Sequence, residues 1–148
     1  MLLVTPPSGS SGPAAAGALL PVGLVALAGA LRAAGIEAEI CDAMVSALGP
    51  DSIRLAIEHS YPQVVVAVAC AATADAARDV LQAAKEIVPG VLTVIVGAEP
   101  DLAATRGTRD AVVDCVVDDD PPRLAGLLAR ISRGEQAGNL CDVSHGLT

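Results

Sequence analysis

The sequence predicts one α/β domain whose parallel sheet is covered by helices on both faces. Three observations carry that reading. Short runs of Val, Leu and Ile alternate along the chain with stretches of helical period. One such run, Val64 to Ala69, is apolar without a break, as in a strand covered on both faces, whereas a half-exposed strand would alternate. Apolar residues make up 53% of the 148 but aromatic ones only 1%, so Ala, Val, Leu and Ile must build the core. A chain of this length suits a single domain with a substantial interior.

The elements follow in order. Leu2 to Thr5 is a short strand that ends at Pro6-Pro7. A Gly/Ser/Pro/Ala loop, Ser8 to Leu19, shows neither helical nor strand period. A helix starts at about Pro21, since Pro is favoured in a first turn, with Leu20, Leu24, Leu27 and Leu31 as its apolar stripe and Gly35 as its stop. Ile36 to Cys41 reads as the second strand, ended by Asp42. Gly49-Pro50-Asp51 opens a helix with Ile53, Ala56 and Ile57 inward, and Tyr61-Pro62 closes it. After the Val64 to Ala69 strand, Thr73 and Asp75 suit a helix N-terminus. Ala77, Val80, Leu81, Ala84 and Ile87 then repeat at helical spacing up to Pro89-Gly90. Val91 to Val96 is the fourth strand, a short helix is expected over Asp101 to Thr108, and Val112 to Val117 is the fifth strand. Asp120 with Pro121-Pro122 starts the last helix, whose stripe is Leu124, Leu127, Leu128 and Ile131, ending near Gly134. From Glu135 onward the chain is polar and irregular, as in a linker.

Strands that alternate with helices require right-handed crossovers, which give a parallel sheet. The commonest order for five strands is 2-1-3-4-5, the doubly wound (Rossmann- or flavodoxin-like) arrangement. It has a switch point between the first and third strands, where ligands bind. The candidate site is therefore Thr5 to Gly12, Cys70 to Thr73 and Gly97 to Pro100, with Asp118 to Asp120 at its edge. Ala14 to Leu31 carries no charge and has the length of a membrane span. Its high Ala content, its three glycines and Pro21 favour a buried loop and helix instead, and no basic residue precedes it as in a signal peptide.

Composition excludes several function classes. The net charge of −8 repels phosphate backbones, and Tyr61 is the sole aromatic, so nucleic-acid binding is not expected. Cys41, Cys70, Cys115 and Cys141 are far apart, with no zinc or iron–sulfur spacing. They read as reduced thiols of a cytoplasmic protein. Of the two histidines, His59 falls near a helix end, where a partly charged imidazole suits the dipole, and His145 falls in the tail. Neither supports acid–base catalysis or metal ligation at the candidate site.

Ser8-Gly9-Ser10-Ser11-Gly12 has the amide density to cradle a phosphate, which keeps a phosphate- or nucleotide-binding domain as an alternative. It lacks the Lys of a Walker loop and the spacing of a dinucleotide fingerprint. Glu99 is a carboxylate on the loop after the fourth strand, either a polar ligand contact or a solvated group. Asp118-Asp119-Asp120 reads as a solvated turn plus an N-cap. A phosphorelay receiver would need acidic residues where Thr5, Pro6 and Cys70 stand. The residues alone describe a binding or scaffold domain rather than a catalyst.

Three longer stretches add to this. Leu20-Pro21-Val22-Gly23-Leu24, Leu27-Ala28-Gly29-Ala30-Leu31-Arg32-Ala33-Ala34-Gly35 and Cys41-Asp42-Ala43-Met44 resemble the N-terminal cobalamin-binding domain of B12-dependent radical SAM enzymes. Leu81 to Pro89 and Val94 to Pro100 extend the likeness, which covers roughly residues 1 to 134 and is strongest to the anaerobic magnesium-protoporphyrin IX monomethyl ester oxidative cyclases. Residues 135 to 148 resemble the connector that leads into that family's radical SAM barrel.

The resemblance implies a domain, non-catalytic by itself, that holds cobalamin at its strand ends and partners a radical SAM domain in cis or in trans. Carried over, Pro6, Pro7, Ser8 and Gly9 match the first loop, Cys70, Ala71, Ala72 and Thr73 the turn after the third strand, and Gly97, Ala98 and Glu99 the Gly-Gly-x-His loop. Asp118 stands at the head of the turn after the fifth strand. Ala98 replaces the second Gly, Glu99 stands where His is usual, and Asp118-Asp119-Asp120-Pro121 replaces Gly-Glu-Gly-Glu. The Asp-x-His-x-x-Gly loop that supplies a lower cobalt ligand elsewhere does not occur. Neither does Cys-x-x-x-Cys-x-x-Cys, so an iron–sulfur cluster and S-adenosylmethionine are expected only in a downstream domain. The altered turns keep open a degenerate scaffold of the same fold that binds no cofactor.

Overall fold

The computed structural model describes residues 1–6, 22–43, 49–69, 73–97, 111–118 and 120–135. Its elements in chain order are β1 (Leu2–Thr5), α1 (Val22–Ala33), β2 (Glu39–Asp42), α2 (Pro50–Ser60), β3 (Val64–Val68), α3 (Ala74–Ile87), β4 (Leu92–Gly97), β5 (Cys115–Asp118) and α4 (Pro121–Ser132). The five strands form one sheet in the order β2-β1-β3-β4-β5, and every neighbouring pair is parallel. This is the predicted doubly wound fold.

Alternate residues of each strand face opposite layers, because successive side chains point to opposite faces of a pleat. Leu2, Val4, Val65, Ala67 and Ile95 pack with Ile53 and Ile57 of α2 and with Ala77, Leu81 and Ala84 of α3. Leu3, Val66, Val94, Val96 and Val117 pack with Leu24, Leu27 and Leu31 of α1 and with Leu124 and Leu128 of α4. Two buried faces are why Val64 to Ala69 shows no alternation. Truncating a fully buried leucine such as Leu31 or Leu128 would cost about 2–5 kcal/mol.

Helix ends follow the predicted punctuation. Gly35, at φ +80°, lets the chain leave α1, with Gly35 N–H donating to the Arg32 carbonyl and Ile36 N–H to the Leu31 carbonyl. Pro50 occupies the first turn of α2, and Tyr61 ends that helix in the left-handed region at φ 42°. Asp120 caps α4 by accepting from the Arg123 amide at 3.3 Å.

Three strands start later than the sequence suggests, β4 by a single residue, at Leu92 rather than Val91. β2 begins at Glu39 rather than Ile36, because the Ile36 amide is committed to the α1 cap, and the first link to β1 is Glu39 N–H to the Met1 carbonyl. β5 begins at Cys115 rather than Val112. Before it, the Asp114 amide donates to the Thr93 carbonyl at 3.1 Å, and side chains supply the other links: Thr93 Oγ1 donates to the Val112 carbonyl at 2.6 Å, and Asp114 Oδ2 accepts from the Thr93 amide at 2.9 Å. The Lys85 ammonium closes this junction at 2.6 Å from Asp114 Oδ2 and 3.0 Å from the Val91 carbonyl.

Cys41 is a free, buried thiol, as expected. Cys115 is disulfide-bonded, so the expectation of reduced thiols does not hold for it. Among the described residues no helix is long and apolar enough to cross a membrane; α1 spans only twelve residues of the uncharged stretch and its end. The expected loop from Ser8 to Leu19, the expected helix at Asp101 to Thr108 and most of the polar tail lie outside the described residues.

Candidate functional site

Parallel strands bring all their C-terminal ends to one edge of the sheet. The β1 end is Thr5, followed by buried Pro6. Thr5 Oγ1 donates to Asp42 Oδ1 at 2.6 Å, and the Ala43 amide donates to the Thr5 carbonyl at 3.3 Å, so the ends of β1 and β2 are tied together. Beyond β3, Ala69 continues the ladder by donating to the Val96 carbonyl at 2.8 Å. β4 ends at buried Gly97, whose register partner is Asp118 at the end of β5.

The switch point lies between β1 and β3. β1 is followed by α1 in one layer and β3 by α3 in the other, and folds of this kind place their ligand crevice between two such strands. Helices in such a fold run back antiparallel to the strands, so the N-termini of α2, α3 and α4 lie at this same edge with the positive ends of their dipoles. Thr73 is the N-cap of α3 and is only 5% exposed, and its side chain makes no cap hydrogen bond. Gly49, the N-cap of α2, has no side-chain acceptor. The amides of both first turns face the edge without a side-chain cap.

Of the predicted site residues, Pro6, Thr73, Gly97 and the backbone of Asp118 fall at this edge. Pro7, Ser8, Gly9, Cys70, Ala71, Ala72, Ala98 and Glu99 lie outside the described residues. Asp42 was read from sequence only as a strand terminator. Its signal as part of the edge is the register that sets it beside Thr5, two polar residues at the ends of adjacent apolar strands.

Burial raises the pKa of the neighbouring Cys41 thiol, and the Asp42 carboxylate adds to the rise, so this sulfur stays protonated. It is therefore a poor nucleophile or metal ligand. Among the described residues no group of three His, Cys, Asp or Glu could hold a metal ion. His59 lies at the far end of α2 and is exposed.

Clefts elsewhere do not compete for the role. One of about 710 Å³ sits at the opposite, N-terminal edge of the sheet, lined by Arg32, Glu37, Glu39, Ser60 and Pro62. Another of about 240 Å³ lies between α2 and α3, with Ile53, Val80 and Ala83 in its walls. The switch-point edge differs from both in offering small side chains and helix N-termini together. It suits a broad ligand that carries an anionic group.

The model of one protein family, described as the B12 binding domain, matches residues 14–128. The chain belongs to that family. No curated protein and no solved structure matches it. The matched range includes the ends of β3, β4 and β5, with Thr73, Gly97 and Asp118, while β1 and residues 6–9 precede it. The five-stranded order is what a B12-binding domain of this doubly wound kind requires. The described edge also fits a corrinoid. Pro6, Ala69 and Gly97 present no bulky side chain there, and the first-turn amides of α2 and α3 suit the phosphate of its nucleotide tail.

Proposed function

We propose that this chain binds cobalamin across the ends of β1, β3 and β4 and presents it to a radical SAM domain in the same or another chain. The observation that carries the cofactor is the match to the B12-binding family over 14–128, on a sheet whose switch point faces an edge of small residues. The radical SAM context rests on the sequence resemblance to the cyclase-type enzymes. Cobalamin, when bound, supplies cobalt-centred chemistry, and the chain's own part is to bind and orient it.

Each residue has a simple role in this reading. Gly97 keeps the end of β4 free of a side chain, so that a flat macrocycle can approach the backbone, and the resemblance assigns Ala98 to the same loop. Pro6 is buried at the exit of β1, and the resemblance assigns Pro7, Ser8 and Gly9 to the same loop. Thr73 stands at the head of α3, whose first-turn amides face the edge, and the resemblance assigns Cys70, Ala71 and Ala72 to the same turn. Glu99 and Asp118 are carried over as polar ligand contacts from the resemblance alone. Residues 1–134 form the binding domain, and 135–148 connect it to the partner domain.

Titration of the purified chain with hydroxocobalamin, followed by absorbance and calorimetry, tests the reading. Saturable binding at one site per chain is expected. Absence of binding at high micromolar ligand would overturn it and leave the scaffold alternative. Gly97→Val places a branched side chain on the rim and is expected to weaken binding at least tenfold, with a melt of the variant to show that the fold survives.

A further inference from the structure

We propose that Asp42 sets the specificity of the ligand edge: its carboxylate, held by Thr5, accepts from a peripheral amide of a corrinoid and disfavours corrinoids that carry a carboxylate there. This rests on the cobalamin reading and goes further, to the form of the ligand that the edge accepts.

The strand ends put this carboxylate in place. β1 reads Leu-Leu-Val-Thr, so Thr5 is its one polar residue, and it is only 7% exposed. Parallel register sets it beside Asp42, the last residue of the edge strand β2. Leu3 packs in the α1 layer, so Thr5, two residues on, lies on the same side of the sheet, and so does its register partner Asp42. Thr5 Oγ1 donates to Asp42 Oδ1 at 2.6 Å, the length of a charge-assisted bond. That bond holds one oxygen, and with it the plane of the group, at the edge where the strands end.

A brace between two strands needs no charge. Register and the Ala43 amide already join β1 to β2, and an amide oxygen would accept from Thr5 as well. Asp42 nevertheless places a negative charge here. Its field reaches the buried Cys41 thiol, whose pKa rises first through burial and then through Asp42. A carboxylate accepts at about four positions, so one group can serve Thr5 and a ligand donor together.

The rim of a corrin carries primary amides, which are uncharged and donate through N–H. One such amide on Asp42 makes a hydrogen bond to a charged acceptor, worth about tenfold to a hundredfold in affinity. Hydrolysis of that amide to an acid replaces the donor with a second negative charge. Two carboxylates brought together in a partly dried site repel, so the hydrolysed ligand loses the bond and meets a penalty. The edge thus takes the amidated corrinoid.

The test uses the full chain with hydroxocobalamin and with its three monocarboxylic acids, in each of which one peripheral propionamide is hydrolysed. Affinities are read from the corrin absorbance. Wild type is expected to bind one of the acids at least about tenfold more weakly than hydroxocobalamin. Asp42→Asn keeps an acceptor for Thr5 and should close that gap to within about threefold. Thr5→Val removes the hydroxyl that orients the group, nearly keeps the side-chain shape, and should narrow the gap as well. Asp75→Asn removes a charge from the first turn of α3, at the same edge, and should leave the gap unchanged. Loss of a mere brace would weaken all four ligands alike. Wild type that binds all three acids as well as hydroxocobalamin would overturn the inference and leave the cobalamin reading standing. So would a gap that persists in Asp42→Asn, or one that closes equally in Asp75→Asn. Failure of wild type to bind hydroxocobalamin would overturn both.

Discussion

Replacing Asp114 with alanine probes how β5 is held to the sheet. Asp114 Oδ2 accepts from Lys85 Nζ at 2.6 Å and from the Thr93 amide at 2.9 Å, and Thr93 itself is fully buried. A hydrogen bond to a charged group contributes about 1.5–3 kcal/mol, and a buried amide left without a partner costs about 1–3 kcal/mol. The two side chains of the ion pair are 27% and 33% exposed, so solvent screens it and the lower end of each range applies. We expect Asp114→Ala to cost about 2–3 kcal/mol, a large share of the roughly 5–15 kcal/mol that holds a domain together. The melting temperature would fall by roughly 5–10 °C for a chain of this size. Asp114→Asn keeps an acceptor for the Thr93 amide and should cost about half as much. Urea unfolding of both variants, of Lys85→Met and of the Lys85→Met/Asp114→Ala double variant, in one redox buffer, gives the differences and the coupling between Lys85 and Asp114. A loss below about 0.5 kcal/mol for Asp114→Ala, or no difference between the Ala and Asn variants, would refute the argument that this carboxylate anchors the strand.

Other expectations are simpler to measure. Asp120→Ala removes the side-chain cap of α4 and should cost about 1 kcal/mol in urea unfolding, whereas Asp120→Ser should recover most of it. Burial, and then Asp42, raise the Cys41 pKa in the folded protein, so the unfolded chain gives up this proton more readily. The stabilising contribution is therefore complete below the ordinary thiol pKa and falls as pH rises past it. The urea midpoint of the wild type should decline more steeply than that of Cys41→Ala between neutral and strongly alkaline pH, and parallel curves would remove the effect.

Local signals with a single physical cause were the legible ones. β1 was bounded correctly because Pro6 cannot extend a ladder, and the helix stops at Gly35, Tyr61 and Gly90 follow from backbone geometry that few residues adopt. The sheet order followed from the alternation of elements and the handedness of crossovers. The starts of β2 and β5 were misjudged for the same reason. Ile36 and Val112 are as apolar as strand residues, but a helix cap and the Thr93 hydroxyl claim their polar backbone first. Such competition between distant groups leaves no periodic trace. The candidate site was legible as an edge, through Pro6, Thr73 and Gly97, but the Thr5–Asp42 link depends on a register that only the folded sheet supplies. The Cys115 bond was equally hidden, since spacing along the chain says nothing about which sulfurs meet.

The near absence of aromatic rings has an optical consequence. The chain has no Trp or Phe, and its one Tyr, Tyr61, stands 59% exposed where α2 ends, just before β3 begins. Five residues of β3, roughly 16 Å, separate that position from the ligand edge. The polypeptide is therefore almost transparent in the near ultraviolet, and corrinoid bands can be read with little protein background. Tyr61 emission becomes a reporter at a fixed remove. Quenching on addition of a coloured ligand, with the melt unchanged, would record energy transfer along the length of the sheet rather than contact.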